Sequence, residues 1–112
     1  MITSEMQIAL ENMFAVMKAD YANFMPPVKG PVQTQMNEEF ATSIRVEEGS
    51  KYIKVIQGSG VHSFIVKKDN PAKGWKAGDI LKAAGWNAPA TNFTRGNILE
   101  GNFARVRWTG AN

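Results

Sequence analysis

The spacing of hydrophobic residues changes once along this chain, and that change most constrains its fold. Before residue 25 apolar residues recur every three or four positions, whereas from Phe40 onward they recur at every second position. The first spacing is typical of an amphipathic helix and the second of a half-buried strand. A length of 112 residues fits one domain. We therefore predict an α+β domain, mainly β, that begins with a helix.

The predicted helix covers residues 4–20. Ser4 and Gln7 match the S-x-x-Q form of a capping box, and the helix dipole favours the negative charge of Glu5 in the first turn. The apolar stripe consists of Met6, Leu10, Met13 and Met17. Two interpretations are open, because such a stripe either faces the chain's own core or, being rich in adaptable methionine, meets a partner.

Three prolines and a glycine follow the helix between Met25 and Pro31. Proline cannot continue a helix and favours extended backbone, so this stretch is the best internal boundary in the chain. We predict an N-terminal helix in residues 1–25, a proline-rich linker in residues 26–39 and a small β-barrel domain in residues 40–112.

Short runs of β-forming residues, joined by glycine-containing turns, fill the predicted β domain. The predicted strands are residues 40–47, 51–57, 61–67, 79–84 and 103–109. For residues 79–84 the alternative is one helical turn, and residues 86–97 are expected to form a long ordered loop. One helix followed by about five short antiparallel strands fits a small barrel or a bent sheet, either SH3-like or OB-like.

The residues that usually carry catalysis or bind metals are sparse. There is no cysteine, so disulfides, thiolate metal sites and thiol nucleophiles are excluded. His62 lies in a predicted strand among apolar neighbours, which favours a structural role. The acidic pairs Glu38–Glu39 and Glu47–Glu48 are adjacent in sequence, and neighbouring strand residues point to opposite faces. We therefore predict no enzymatic activity, no cofactor and no metal site.

Charge is distributed unevenly along the chain. Residues 1–49 carry a net charge of −4 and residues 50–112 a net charge of +7. Such asymmetry favours a polyanionic partner for the basic part. The alternative is that the acidic part packs beside the basic part, either within the chain or in a neighbouring subunit.

Basic and aromatic side chains share strand faces in the predicted β domain. The candidate nucleic-acid-binding residues are Arg45, Tyr52, Lys54, Phe103, Arg105 and Arg107. In this hypothesis the cations contact phosphates and the two rings stack on bases of a single strand. The same alternation is also expected for the solvent face of an ordinary half-buried sheet. The first functional hypothesis is a non-enzymatic nucleic-acid-binding accessory protein, and the alternative is a structural or interaction protein that forms a homo-oligomer through its methionine-rich helix.

The C-terminal half of the chain carries a recognisable pattern. Residues 75–86 read WKAGDILKAAGW, and they are followed by APA at 88–90 and RGN at 95–97. In this half the chain resembles small uncharacterised proteins of tailed bacteriophages. The resemblance implies a phage or phage-derived origin and a life in the host cytoplasm, and it assigns no activity or binding residue.

The N-terminal residues lack the basic region and unbroken apolar run of a secretion signal. No stretch approaches the roughly 20 apolar residues that a membrane helix needs. We therefore expect a soluble, cytoplasmic protein with no membrane partner.

Overall fold

Two helices precede a set of short strands in the computed structural model, which describes residues 2–24 and 31–111. The helices are α1 (Ser4–Phe24) and α2 (Pro31–Thr42). The strands are β1 (Ile44–Glu48), β2 (Tyr52–Gln57), β3 (Gly60–Val66), β4 (Ile80–Lys82), β5 (Val106–Arg107) and β6 (Gly110–Ala111).

The first four strands form one antiparallel sheet in chain order, and β5 and β6 pair separately. The α+β class with mainly antiparallel strands is therefore confirmed. The described strands leave β1 and β4 as the two edges of an open sheet, so they form no closed barrel of the SH3-like or OB-like kind. A register shift between Val55 and Ile56 interrupts the pairing of β2 with β3, and such bulges increase the local twist of a sheet.

The predicted N-terminal helix is confirmed, and it continues to Phe24. Its cap is Thr3 rather than Ser4, since Thr3 Oγ1 accepts a hydrogen bond from the Met6 N–H at 3.1 Å. The predicted stripe faces the protein's own core, where all four of its members are buried: Met6, Leu10, Met13 and Met17. The apolar stripe is therefore already occupied by this chain's own sheet.

The second helix was not predicted, and it replaces most of the expected linker and the start of the first expected strand. Residues 31–42 are helical, while residues 26–30, where the linker was also expected, lie outside the described residues. Pro31 is the first residue of α2. The N–H group at that position makes no intrahelical hydrogen bond, so the helix loses none when proline lacks it. Phe40 lies on this helix, is buried, and stacks on the Tyr21 ring with 4.2 Å between centroids.

Both faces of the sheet are covered. Its inner face, which includes Ile53, Val55 and Ile65, packs against the stripe of α1. Its outer face carries a smaller group of buried side chains, here called the outer cluster: Phe64, Val66, Trp75 and Leu81. Because β3 is buried on both faces, its apolar residues run continuously instead of alternating.

The middle strands were predicted within one or two residues at each end. The ambiguous segment at 79–84 contains β4, paired with β3 through Ile80–Ile65 and Leu81–Phe64.

Neither α1 nor α2 has the apolar length that a bilayer crossing requires.

The last predicted strand, residues 103–109, is wrong as a continuous strand. The chain turns at Trp108 and Thr109, and β5 pairs with β6 as a hairpin. The N–H of Trp108 donates to Asp20 Oδ2 on α1 at 2.9 Å. This contact ties the hairpin to the helix.

Candidate functional site

The six predicted nucleic-acid-binding residues do not share one face. Tyr52 is half-buried against the outer cluster, with its ring centroid 5.8 Å from that of Phe64. Phe103 packs instead against the main core, together with α1 and the inner sheet face. The two predicted stacking rings are therefore packing groups in two different hydrophobic clusters, and the predicted site is not assembled as expected.

The predicted cations are also dispersed. Arg45 lies on the edge strand β1 and donates to the Gly58 carbonyl at 3.4 Å. Arg107 lies on β5, where its Nη1 is 3.5 Å from Asp20 Oδ1. Only Lys54 and Arg105 reach a common element, since each approaches an aromatic ring of the segment between β4 and β5.

That segment, residues 84–97, is here called the aromatic loop, and it runs along the free edge of β4. The Ala90 N–H donates to the Lys82 carbonyl at 2.7 Å, and the Arg95 N–H donates to the Ile80 carbonyl at the same distance. The Ile80 N–H in turn donates to the Gly96 carbonyl at 3.0 Å. The loop thus satisfies backbone groups of an otherwise open sheet edge, which fixes its course over the surface.

Two large aromatic side chains of the aromatic loop are solvent-accessible. Trp86 and Phe93 are each 47% exposed, in contrast to Trp75, which is buried in the outer cluster. The turn that presents Trp86 is closed by the Ala84 and Gly85 N–H groups, which both donate to the Ala88 carbonyl. A half-exposed ring on a fixed turn is available to a planar ligand.

One cation lies beside the Trp86 ring and two lie beside the Phe93 ring. Lys54 Nζ lies 5.0 Å from the Trp86 ring centroid and donates to Asn87 Oδ1 at 2.8 Å. The guanidinium carbon of Arg95 lies 3.9 Å from the Phe93 centroid, and that of Arg105 lies 5.5 Å from it. These distances fall within the range of cation–π attraction. The aromatic loop therefore combines π surfaces with positive charge.

A polar pocket of about 420 Å³, here called the arginine pocket, lies where the end of the aromatic loop meets the following turn. Its charged lining residues are Lys76, Asp79, Arg95, Glu100 and Arg105. Arg95 is only 4% exposed, and its Nε finds no hydrogen-bond acceptor among the described residues. A buried guanidinium with an unsatisfied donor is costly unless something else satisfies it.

Asp79 and Asn97 hold the wall of the arginine pocket in place. Asp79 Oδ2 accepts from the Lys76 N–H at 2.8 Å, and Oδ1 accepts from Asn97 Nδ2 at 2.9 Å. Asn97 also pairs through its backbone with Asn102, in both directions. These bonds use both carboxylate oxygens of Asp79, which makes it a structural acceptor within the wall.

His62 is buried as part of the fold. Its Nε2 is 2.7 Å from the Arg107 carbonyl, and its Nδ1 is 2.8 Å from Ser63 Oγ. A carbonyl oxygen can only accept, so Nε2 carries the proton and Nδ1 accepts from the serine hydroxyl. Burial lowers the pKa of His62, which keeps the ring neutral. No group of three or more His, Asp or Glu side chains within residues 2–24 and 31–111 is arranged to hold a metal ion.

The strand patterns of the sequence did not indicate Trp86, Phe93 or Arg95 as ligand-binding residues. The available signal was their position in a stretch without periodicity, since large aromatic residues in such a loop have no strand or helix face to bury them. The partner cations Lys54 and Arg105 were identified, but with other aromatic partners.

The chain has also been compared with known proteins. No curated protein and no solved structure matches it. A family model does match, and the match covers residues 2–112. The chain therefore belongs to a family of unknown function, DUF7717.

Proposed function

We propose that this protein binds single-stranded nucleic acid through the aromatic loop. The observation that carries the proposal is the pair of half-exposed rings, Trp86 and Phe93, each with at least one cation at its side. Bases stack on such rings whatever their sequence, because every base has a π face. The backbone of the same strand is attracted by the neighbouring positive groups.

Charge around the loop supports the same proposal. Lys54, Lys82 and Arg105 lie beside or next to the aromatic loop, and all belong to the part of the chain with a net charge of +7. The β4 edge that carries Lys82 also carries the backbone bond to Ala90. Cations are thus placed along the path that the loop takes over the sheet edge, as a phosphate backbone would require.

In this proposal the protein is a non-enzymatic accessory protein of the tailed-phage type that acts in the host cytoplasm. The groups that contact the ligand are Lys54, Trp86, Phe93 and Arg105. The sequence-based residues Arg45, Phe103 and Arg107 are left out of the contact surface because their side chains lie on other parts of the fold. Tyr52 lines a pocket with Lys54, but it is left out because its ring packs against the outer cluster.

The test is a titration of a fluorescein-labelled oligothymidine, followed by anisotropy, with wild type and Trp86→Ala. Loss of one stacked base costs about 1–3 kcal/mol, so we expect roughly 5- to 150-fold weaker binding by the variant. Met36→Ala, which truncates an exposed apolar side chain on α2, is the matched control and should bind like wild type. Equal affinities of wild type and Trp86→Ala, or no saturable binding by wild type at low salt, would overturn the proposal.

A second candidate function, self-association, is favoured by a groove between α1 and the turn that follows the aromatic loop. Ile8 on α1 is 59% exposed and Leu99 is 42% exposed, and both line this groove together with Glu5 and Glu100. The carboxylates complement a basic surface, and residues 50–112 of a second copy of the chain carry one. We propose a second copy as the occupant of this groove.

Sedimentation velocity of wild type and Ile8→Glu tests self-association. We expect the variant to have the lower sedimentation coefficient, because a charge in the groove opposes docking of the second copy. Deletion of the whole helix is unsuitable, because its stripe is buried in the protein's own core and the deletion would remove part of that core. Ala15→Glu adds the same charge at another exposed position of α1 and should leave the sedimentation coefficient unchanged. A wild-type protein that sediments as a monomer at high concentration would contradict this second candidate.

A further inference from the structure

We infer that the arginine pocket is a binding site for a phosphate group. This inference shares Arg105 with the proposed function, but it does not require nucleic-acid binding by the aromatic loop, because it rests on the buried guanidinium of Arg95 and its unsatisfied Nε. Its core is the Arg95 guanidinium, a positive charge that the fold buries without an ion-pair partner among the described carboxylates.

Within the described residues, the Arg95 guanidinium donates hydrogen bonds through Nη1 only. Its Nη1 donates to Asn92 Oδ1 at 3.0 Å and to the Phe93 carbonyl at 2.6 Å, which fixes the plane of the guanidinium. Its Nε has no acceptor within the described part of the chain. Arginine binds phosphate through two parallel N–H donors of its planar fork, and the edge that contains Nε is the one whose donor the described residues leave without an acceptor.

The carboxylates of the pocket do not neutralise Arg95. Both oxygens of Asp79 accept from Lys76 and Asn97, and Glu100 pairs with the Lys76 ammonium at 3.2 Å. With Arg105 on the same lining, the described residues give the pocket three cationic side chains and two anionic ones. An anion entering it would therefore meet an excess of positive charge in a partly enclosed space, where electrostatic attraction is weakly screened.

The backbone around Arg95 is held in a single arrangement. Gly96 has a φ of +131°, and a side chain there would approach the Asn102 carbonyl oxygen to 2.4 Å. Gly78 faces Asn97 and Leu99 with a similarly close approach of 2.9 Å. Such packing positions the guanidinium before any ligand arrives, which lowers the cost of ordering the site on binding.

The size of the pocket bears on which phosphate it accepts. A volume of about 420 Å³ exceeds what a bare phosphate ion needs and lies within the range of small-molecule sites. The shared chemistry is a phosphoryl group with at least two free oxygens, which inorganic phosphate and a phosphate monoester both supply.

The test follows the Nε–H signals of ¹⁵N-labelled full-length protein in a titration with inorganic phosphate at constant ionic strength. The chain has four arginines, so the Arg95 signal is identified from its absence in Arg95→Lys. We expect a saturable shift of the Arg95 signal, and an affinity roughly tenfold or more weaker for Arg95→Lys, which lacks the planar fork. Arg45→Lys, at the β1 edge, is the matched control and should bind phosphate like wild type.

Arg105→Gln serves as a second variant, because its exposed side chain can be changed without opening the core. It should weaken phosphate binding severalfold even if Arg95→Lys does not fold. An Arg95 signal that stays unmoved at high phosphate, or one that moves no more than the Arg45 signal, would overturn the inference.

Two further titrations identify the source of the phosphoryl group. Tighter binding of a nucleoside 5′-monophosphate than of inorganic phosphate would support a phosphate monoester, and equal binding would support free phosphate. Trp86→Ala separates this site from the proposed function, since it should weaken oligonucleotide binding and leave phosphate binding intact.

Discussion

Gly96 occupies a backbone conformation that other residues rarely adopt. Its φ is +131°, and a methyl group on its Cα would lie 2.4 Å from the Asn102 carbonyl oxygen, a contact that backbone cannot relieve easily. We expect Gly96→Ala to lower the free energy of unfolding by about 2–4 kcal/mol, through strain and the loss of loop packing. Urea denaturation at constant pH measures the change.

Gly85→Ala is the control for this effect. Gly85 has free space where a methyl group would lie, and its φ is not positive, so its substitution should change stability by less than about 1 kcal/mol. Equal destabilisation by the two substitutions would mean that the close approach at Gly96 has no energetic consequence.

His62 makes stability depend on pH near neutrality. Burial lowers its pKa in the folded state below the unfolded value, so between those two values the unfolded chain binds more protons than the folded one. Stability is then greatest above the unfolded pKa and decreases as the pH falls towards the folded value. We expect the urea midpoint to decrease between about pH 7 and pH 5.

The sequence contains one histidine, which makes this assignment testable. His62→Gln retains a side-chain N–H donor and removes the titration, so its midpoint should vary less over the same pH range. A wild-type midpoint that rises on acidification would show that another group controls stability there.

Among the elements, α1 buries one face in the core and exposes the other. Truncation of a side chain on the buried face should therefore lower the free energy of unfolding more than truncation on the exposed face. Leu10 is fully buried against the sheet, whereas Ile8 points outward. Leu10→Ala should cost about 3 kcal/mol, because it removes buried methyl groups and leaves a cavity. Ile8→Ala should change stability by no more than about 0.5 kcal/mol. Chemical denaturation at low protein concentration compares the two, and similar losses would contradict the assigned helix orientation.

The same elements show which parts of the fold a sequence can predict. Helix α1 and strand β2 were predictable because the spacing of their apolar residues matches the faces that they bury. Strand β3 was predictable because a short run of β-forming residues follows a glycine-containing turn. Helix α2 was not predictable. It begins with a proline, and the every-second-residue spacing of Phe40, Thr42 and Ile44 resembles that of a strand. The β5–β6 hairpin depends on the contact between Asp20 and Trp108, which are far apart in sequence.

The candidate site was predictable only in its composition. An excess of cations and aromatic rings in residues 50–112 is visible in the sequence, but which ring meets which cation depends on tertiary packing. Tyr52 and Phe103 were chosen by strand alternation, and the fold uses both as packing groups. Trp86 meets Lys54 only because the aromatic loop returns along the β4 edge.

At the scale of the whole molecule, ion pairs join the acidic and basic parts of the chain at two points within residues 2–24 and 31–111. Glu48 pairs with Lys67, which lowers the pKa of the Glu48 carboxyl, and Asp20 pairs with Arg107. The interpretation in which the acidic part packs beside the basic part thus holds at these contacts. The cations beside the aromatic loop, Lys54, Lys82 and Arg105, supply the charge on which the proposed function depends.

That charge sets a quantitative expectation for salt. If Lys54, Lys82 and Arg105 each neutralise one phosphate of a single strand, the logarithm of the binding constant should fall with the logarithm of salt concentration with a slope of about −2. Arg105→Gln should reduce the magnitude of the slope by about 0.7, since one phosphate contact is lost. Arg45→Gln removes the same charge at the opposite sheet edge and should leave the slope unchanged. Equal changes in both variants would mean that net charge attracts the strand, whereas a change confined to Arg105→Gln would locate the phosphate path beside Phe93.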